Sequence, residues 1–117
     1  MLSENGTNKM VLLKEVINQK WGYESRIIHE KIFNAPFDMF KICVKLYNNF
    51  EVLIEYDRSI IAISIKIDES FINLRKLTKL ETIKGFKSSD ENSILHNFEV
   101  LDITLQEIRN NDLPKGN

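Results

Sequence analysis

Three consecutive segments alternate apolar and polar residues, and they limit the fold more than anything else in the chain. In "FKICVKLY" the apolar set is Phe40, Ile42, Val44 and Leu46; in "FEVLIEY" it is Phe50, Val52, Ile54 and Tyr56; in "IIAISIKI" it is Ile61, Ile63, Ile65 and Ile67. A period of two gathers side chains on one face of a strand and scatters them around a helix. Register follows from the same sets. A two-residue Asn48-Asn49 turn would pair Leu46 with Glu51 and put a charge on the apolar face. A loop of Tyr47, Asn48 and Asn49 instead pairs Leu46 with Phe50, Val44 with Val52 and Ile42 with Ile54, which keeps one face apolar. Asn49 is then expected in the left-handed region, which Asn tolerates. A loop around Arg58-Ser59 pairs Tyr56 with Ile61 and Ile54 with Ile63. The other face carries Lys41, Cys43, Lys45, Glu51, Leu53, Glu55, Ala62, Ser64 and Lys66, a set polar enough to meet water.

Helices are expected on the apolar face. Leu13, Val16, Ile17 and Lys20, with Met10 and Leu12 beside them, have helical spacing, and the reading is a helix over Thr7 to Lys20 stopped at Trp21-Gly22. "YESRIIHEKIF" alternates poorly and reads as a weak or edge strand over 25–33. "NAPFD" reads as a turn, because Pro36 lacks an amide donor and moves Ala35 out of helical geometry. "DESFINLRKLTKLETIKG" reads as a second helix capped by Asp68 or Ser70 and ended by Gly85. Ser88 and Glu91 have capping-box spacing ahead of a last helix whose stripe is Ile94, Phe98, Leu101, Leu105 and Ile108, with Leu95 beside it. The expected fold is therefore α+β: a three- to four-stranded antiparallel meander with an N-terminal helix and two C-terminal helices on one face. One domain is expected over residues 1–117, with 1–6 and 111–117 as flexible ends.

Composition excludes several classes. A chain that is 43% hydrophobic and 28% charged is an ordinary globular domain, and its formal net charge of −1 is unlike that of a strongly basic nucleic-acid binder. With Cys43 as its single cysteine it has neither an internal disulfide nor a cysteine zinc site, which suits a reducing cytoplasm. "MLSENGTNKM" lacks the basic-then-apolar order of a signal peptide, and "SIIAISI" is too short to span a bilayer. No membrane partner is expected. The four glycines, Gly6, Gly22, Gly85 and Gly116, form no phosphate-binding loop, so no nucleotide or other cofactor is expected.

Each candidate for chemistry has a plainer reading. His96 precedes Glu99 by three residues and Asp102 by six, which could set metal ligands on one helix face, but an exposed helical histidine explains the pattern as well. Cys43 could serve as a nucleophile, yet it lies mid-strand between Ile42 and Val44 with no strained elbow. Glu51 and Glu55 share a strand face and could work as paired acids; a solvated strand surface gives the same pattern. Charge is uneven. Arg75, Lys76, Lys79, Lys84 and Lys87 face only Glu81, whereas Asp90, Glu91, Glu99, Asp102, Glu107 and Asp112 face Arg109 and Lys115. A basic helix and an acidic helix can pair within the molecule, or the acidic set can steer a basic partner. Without interleaved exposed aromatics, the basic run is a poor nucleic-acid surface.

Gly22 and Tyr23 at the helix end, Asp57 and Arg58 at the strand end, and Phe71, Leu74 and Leu77 beyond make a pattern of their own. On those residues the chain resembles small bacterial immunity proteins encoded beside polymorphic and contact-dependent toxins. Ser59 stands where that pattern usually has Gly, and Phe71 where it usually has Trp. The similarity runs from about Val11 to Leu105. It implies a cytoplasmic, non-catalytic module that neutralises one cognate toxin, with Asp57 and Arg58 fixing a turn. The partner surface expected under that reading is Glu91, Glu99, Asp102 and Glu107, with Glu51 and Glu55. A small enzyme or ligand-binding domain, and a regulator that uses the basic run on nucleic acid, are the other readings.

Overall fold

The computed structural model describes residues 2–33, 38–58, 60–78 and 90–110. The chain is α+β. Helix α1 (Glu4–Trp21) and a short 3-10 turn (Gly22–Glu24) precede strands β1 (Ser25–Ile32), β2 (Met39–Leu46), β3 (Phe50–Asp57), β4 (Ile60–Ile67) and β5 (Ser70–Asn73). Helix α2 (Leu74–Leu77) and helix α3 (Glu91–Arg109) follow. The strands form one antiparallel sheet in chain order.

Both expected registers are present. Leu46 pairs with Phe50, Val44 with Val52 and Ile42 with Ile54, and across the next turn Tyr56 pairs with Ile61 and Ile54 with Ile63. Phe40, Ile42, Val44, Leu46, Phe50, Val52, Ile54, Tyr56, Ile63 and Ile65 are buried. They pack with Met10, Leu13, Val16, Ile17 and Trp21 of α1 and with Ile94, Phe98, Leu101 and Leu105 of α3. Each such side chain taken from water stabilises the fold by about 1.5–3 kcal/mol. Helices thus cover one face and leave the other open. Among the described residues no helix is long and apolar enough to cross a membrane.

Four expectations need correction. The sheet has five strands, not three or four. β1 pairs with β2 as an edge strand, with a register shift between Ile27 and His29, so the ambiguous segment does join the sheet. Ser70–Asn73, expected inside a helix, is β5. Neither Asp68 nor Ser70 caps a helix there. Asp68 and Glu69 take φ of 51° and 70° and form the two-residue turn that lets Ile67 pair with Ser70, the first residue of β5. Asn73 is the true cap, its side chain accepting from the Arg75 amide at 2.9 Å, and α2 lasts only four residues. The third correction is at the Tyr47–Asn49 loop, where Tyr47 and Asn48, not Asn49, have positive φ, 55° at both.

Helix α1 starts at Glu4 and not at Thr7, with Ser3 as its cap. The Ser3 hydroxyl accepts from the Gly6 amide at 3.1 Å. Asp38, just before β2, accepts from the Ser3 amide at 2.8 Å and also from the Ser3 hydroxyl. Those two donors, the hydroxyl first, hold the Asp38 carboxyl below its ordinary range. A Cβ at Gly6 would lie 2.9 Å from Asp38 Cγ, so a larger residue there would have to displace the carboxylate that Ser3 holds. At the other end Gly22, φ 53°, stops the helix and returns its amide to the Asn18 carbonyl. Residues 34–37 of the turn expected over 34–38, the expected helix end Gly85, the box residue Ser88 and the tail 111–117 lie outside the described residues.

Candidate functional site

Helix α3 opens on Asp90, whose carboxylate accepts from the Ser93 amide at 2.7 Å, with Glu91 in the first turn where the helix dipole favours an acid. Its inner side buries Ile94, Asn97, Phe98, Leu101, Thr104 and Leu105. Its outer side has a pattern of its own. Glu91, Leu95, Glu99, Ile103 and Glu107 recur every fourth residue, so they form one ridge that rises about 24 Å at 1.5 Å per residue while winding about 40° around the outer side at each step. Leu95 is 41% exposed and Ile103 58%. Apolar teeth thus alternate with carboxylates along a helix whose other side is core.

Asp102 is used differently. It is half-buried, and its Oδ1 accepts from Trp21 Nε1 at 3.0 Å and from the Tyr47 hydroxyl at 2.5 Å. Both donors come from outside α3, one from the end of α1 and one from the loop between β2 and β3. Burial first, then the bond to Asp102, raises the Tyr47 hydroxyl above its ordinary pKa. The Trp21 ring lies 5.5 Å from Phe98, and the Arg109 guanidinium lies 4.9 Å over the Tyr47 ring. Glu99 is bonded to Lys20 at 2.7 Å, and Lys20 itself lies 5.6 Å from the Trp21 ring centroid. Asp102 therefore joins α1, α3 and the sheet, and does not present a free carboxylate.

Glu51 and Glu55 lie on the open face of the sheet, on the far side from α3. Glu51 pairs with Lys66 at 3.6 Å and Glu55 with Lys41 at 3.8 Å, so this face carries cross-strand ion pairs. The six expected partner residues are thus not one surface: Glu91, Glu99 and Glu107 share the α3 ridge, Asp102 is internal, and the two strand acids face away. Cys43 is half-buried on the open face, where burial first, and then the Glu51 charge, push its thiol pKa up. That direction is opposite to what an activated nucleophile needs.

Arg58 donates to Asp57 at 2.8 Å, and Arg58 has φ 49°; the pair fixes the β3–β4 turn as the sequence leads one to expect. Among the described residues no three metal-ligating side chains converge. Of the basic run, Arg75 and Lys76 lie on α2, while Lys79, Glu81, Lys84 and Lys87 are outside the described residues. Two features escape the sequence reading given above. The four-residue repeat of acid and apolar side chains on α3 was available as a pattern. The exposure of Tyr23, 97%, was not, because no periodic pattern sets which way a single aromatic just past a helix end points. No protein-family model, no curated protein and no solved structure matches the chain.

Proposed function

We propose that this chain is an immunity protein: a cytoplasmic, stoichiometric inhibitor that binds and neutralises a cognate bacterial toxin domain without catalysis. The observation that carries the reading is the α3 ridge. Leu95 and Ile103 are large apolar side chains left in water on an otherwise well-packed helix, and Glu91, Glu99 and Glu107 flank them. An apolar tooth between carboxylates suits a basic surface with shallow apolar pockets, where the charges steer the encounter and the teeth supply most of the affinity. The resemblance to immunity proteins points the same way, since such a module needs only a shaped surface. The proposed contact set is Glu91, Leu95, Glu99, Ile103 and Glu107. Asp102 stands behind it as the group that locks α3 in place.

The test is co-expression with the C-terminal domain encoded by the adjacent upstream gene. That domain alone is expected to arrest growth, and this chain to rescue it and to co-purify one-to-one. Ile103→Asp is expected to weaken the complex by about 2 kcal/mol or more, as truncation of a central anchor does. Glu99→Lys with Glu107→Lys should mainly slow association, and more so at low salt. A harmless neighbour, or a complex untouched by all three changes, would sink the assignment of this surface.

A further inference from the structure

The rim of the sheet where α1 ends holds a second feature that the α3 ridge does not use. A shallow depression of about 340 Å³ is lined by Tyr23, Glu24, Ser25, Arg26, Lys45 and Asn48. Arg26 and Lys45 are register partners across β1 and β2, so two cations stand directly opposite each other. Like charges in that position are destabilising. Neither has a carboxylate within ion-pair distance among the described residues. Glu51 is the cross-strand partner of Lys45 on its other side, but its carboxylate turns to Lys66 at 3.6 Å. Several other described cations differ, though Lys76 on α2 likewise holds no acid among the described residues. Lys14, Lys20, Lys41, Arg58 and Lys66 each hold an acid, and Lys31 lies 4.9 Å from the Phe33 ring centroid.

The backbone around this pair is fixed. The Ser25 hydroxyl donates to the Gly22 carbonyl at 2.7 Å, and the Glu24 carbonyl accepts from the Tyr47 amide at 2.7 Å. Tyr23 projects from that frame almost wholly into water. An exposed tyrosine next to an arginine on rigid backbone is the composition of a protein-binding anchor, and little ordering is needed on binding. The depression is too open to enclose a small molecule, and two cations are too few for a nucleic-acid track.

We propose that Tyr23, Arg26 and Lys45 form an anchor for an acidic side chain of a protein partner. The partner's aspartate or glutamate sits between the two cations, and a neighbouring apolar residue lies on the Tyr23 ring. This inference does not require the partner to be a toxin, and it involves different residues from the α3 ridge.

The test is amide NMR on the intact, isotope-labelled chain, titrated with a blocked peptide that sets paired acidic residues beside a leucine. Shifts are expected at residues 23–26 and 45–48, with α3 unmoved, and they should shrink as salt rises. Arg26→Glu with Lys45→Glu should weaken binding about tenfold or more, the scale of losing a charge-assisted contact. Tyr23→Ser, at a side chain that supports nothing in the fold, should weaken it by a smaller factor. Inorganic phosphate and a short single-stranded RNA are the competing probes. Binding of either at these residues while the peptide fails would overturn the proposal, as would peptide shifts spread over unrelated lysines. Concentration-dependent shifts at the same residues without peptide would show a second copy of the chain as the occupant, and would also overturn it.

Discussion

Asp102 and the Arg26–Lys45 pair lie at the same end of the molecule, where the β2–β3 loop meets the end of α1, and the fold treats them in opposite ways. Asp102 is half-buried and takes two hydrogen bonds, from Trp21 and Tyr47. Arg26 and Lys45 face each other across a strand pair, and among the described residues neither holds a carboxylate, although Glu24 lines the same depression. By residue type the acid looked like the surface charge and the cations like ordinary solvated strand residues. The partners reverse that reading. A charge that already has donors from two other elements serves the fold, while like charges held opposite each other on a strand pair are destabilising and gain when an acid comes between them.

The sharpest way to break that contrast is Asp102→Ala. It strands the Trp21 and Tyr47 donors at the junction of α1, α3 and the sheet. Hydrogen bonds to a charged group contribute about 1.5–3 kcal/mol each before solvent screening, so a loss of about 2–3 kcal/mol is expected for this half-buried site. Urea unfolding followed by the fluorescence of Trp21, the single tryptophan, should show a lower midpoint at unchanged slope. A loss below about 0.5 kcal/mol, the range of an ordinary surface substitution, would return Asp102 to the surface set.

Tyr47→Phe is expected to have the next largest effect, about 1 kcal/mol at neutral pH, the net value of one hydrogen bond. Its pH dependence is more diagnostic. The folded state raises the Tyr47 pKa, chiefly by burial and then by the bond to Asp102, so the native protein holds this proton more tightly than the unfolded chain. That contribution is fully present below the unfolded tyrosine pKa, about 10, and is lost as pH rises through the higher folded value. The wild type should therefore lose stability above about pH 10 relative to Tyr47→Phe. Parallel curves for the two proteins would mean that the phenol is not held by Asp102. Tyr47 also carries a positive φ, rare for a bulky residue, and the contacts with Asp102 and Arg109 are what the structure offers to offset that strain.

The parts legible in the sequence were those with a short-range period. Alternation along β2, β3 and β4 gave strands, register and inward face, because one misplaced charge such as Glu51 decides between two loops. Helical spacing gave α1 and α3. Two kinds of feature were not legible. β5 is four residues long, too short to show a period, and its turn uses Asp68 and Glu69 where a hairpin is usually marked by Asn-Gly, so Asp68 or Ser70 reads as a helix cap. The Asp102 junction joins residues 81 and 55 positions apart, and no local rule links them. The α3 ridge lies between these cases. Its repeat is written in the sequence, but only the packing of the opposite side shows that Leu95 and Ile103 face water.

The smallest expected effect has the opposite sign. Arg26→Glu removes a like-charge pair across β1 and β2 and puts an acid opposite Lys45, so it should stabilise the free protein by about 0.2–1 kcal/mol, the range of a favourable cross-strand pair. The gain should fall as salt is added, since both side chains reach solvent. Thermal unfolding at low and high ionic strength would read both effects. A gain of stability together with loss of acidic-peptide binding would mean that the cation pair is held at a cost to the fold for the sake of a partner. No gain at low salt would mean that the two cations diverge in solution and cost nothing. The rim would then lose its electrostatic argument even where Asp102 behaved as expected.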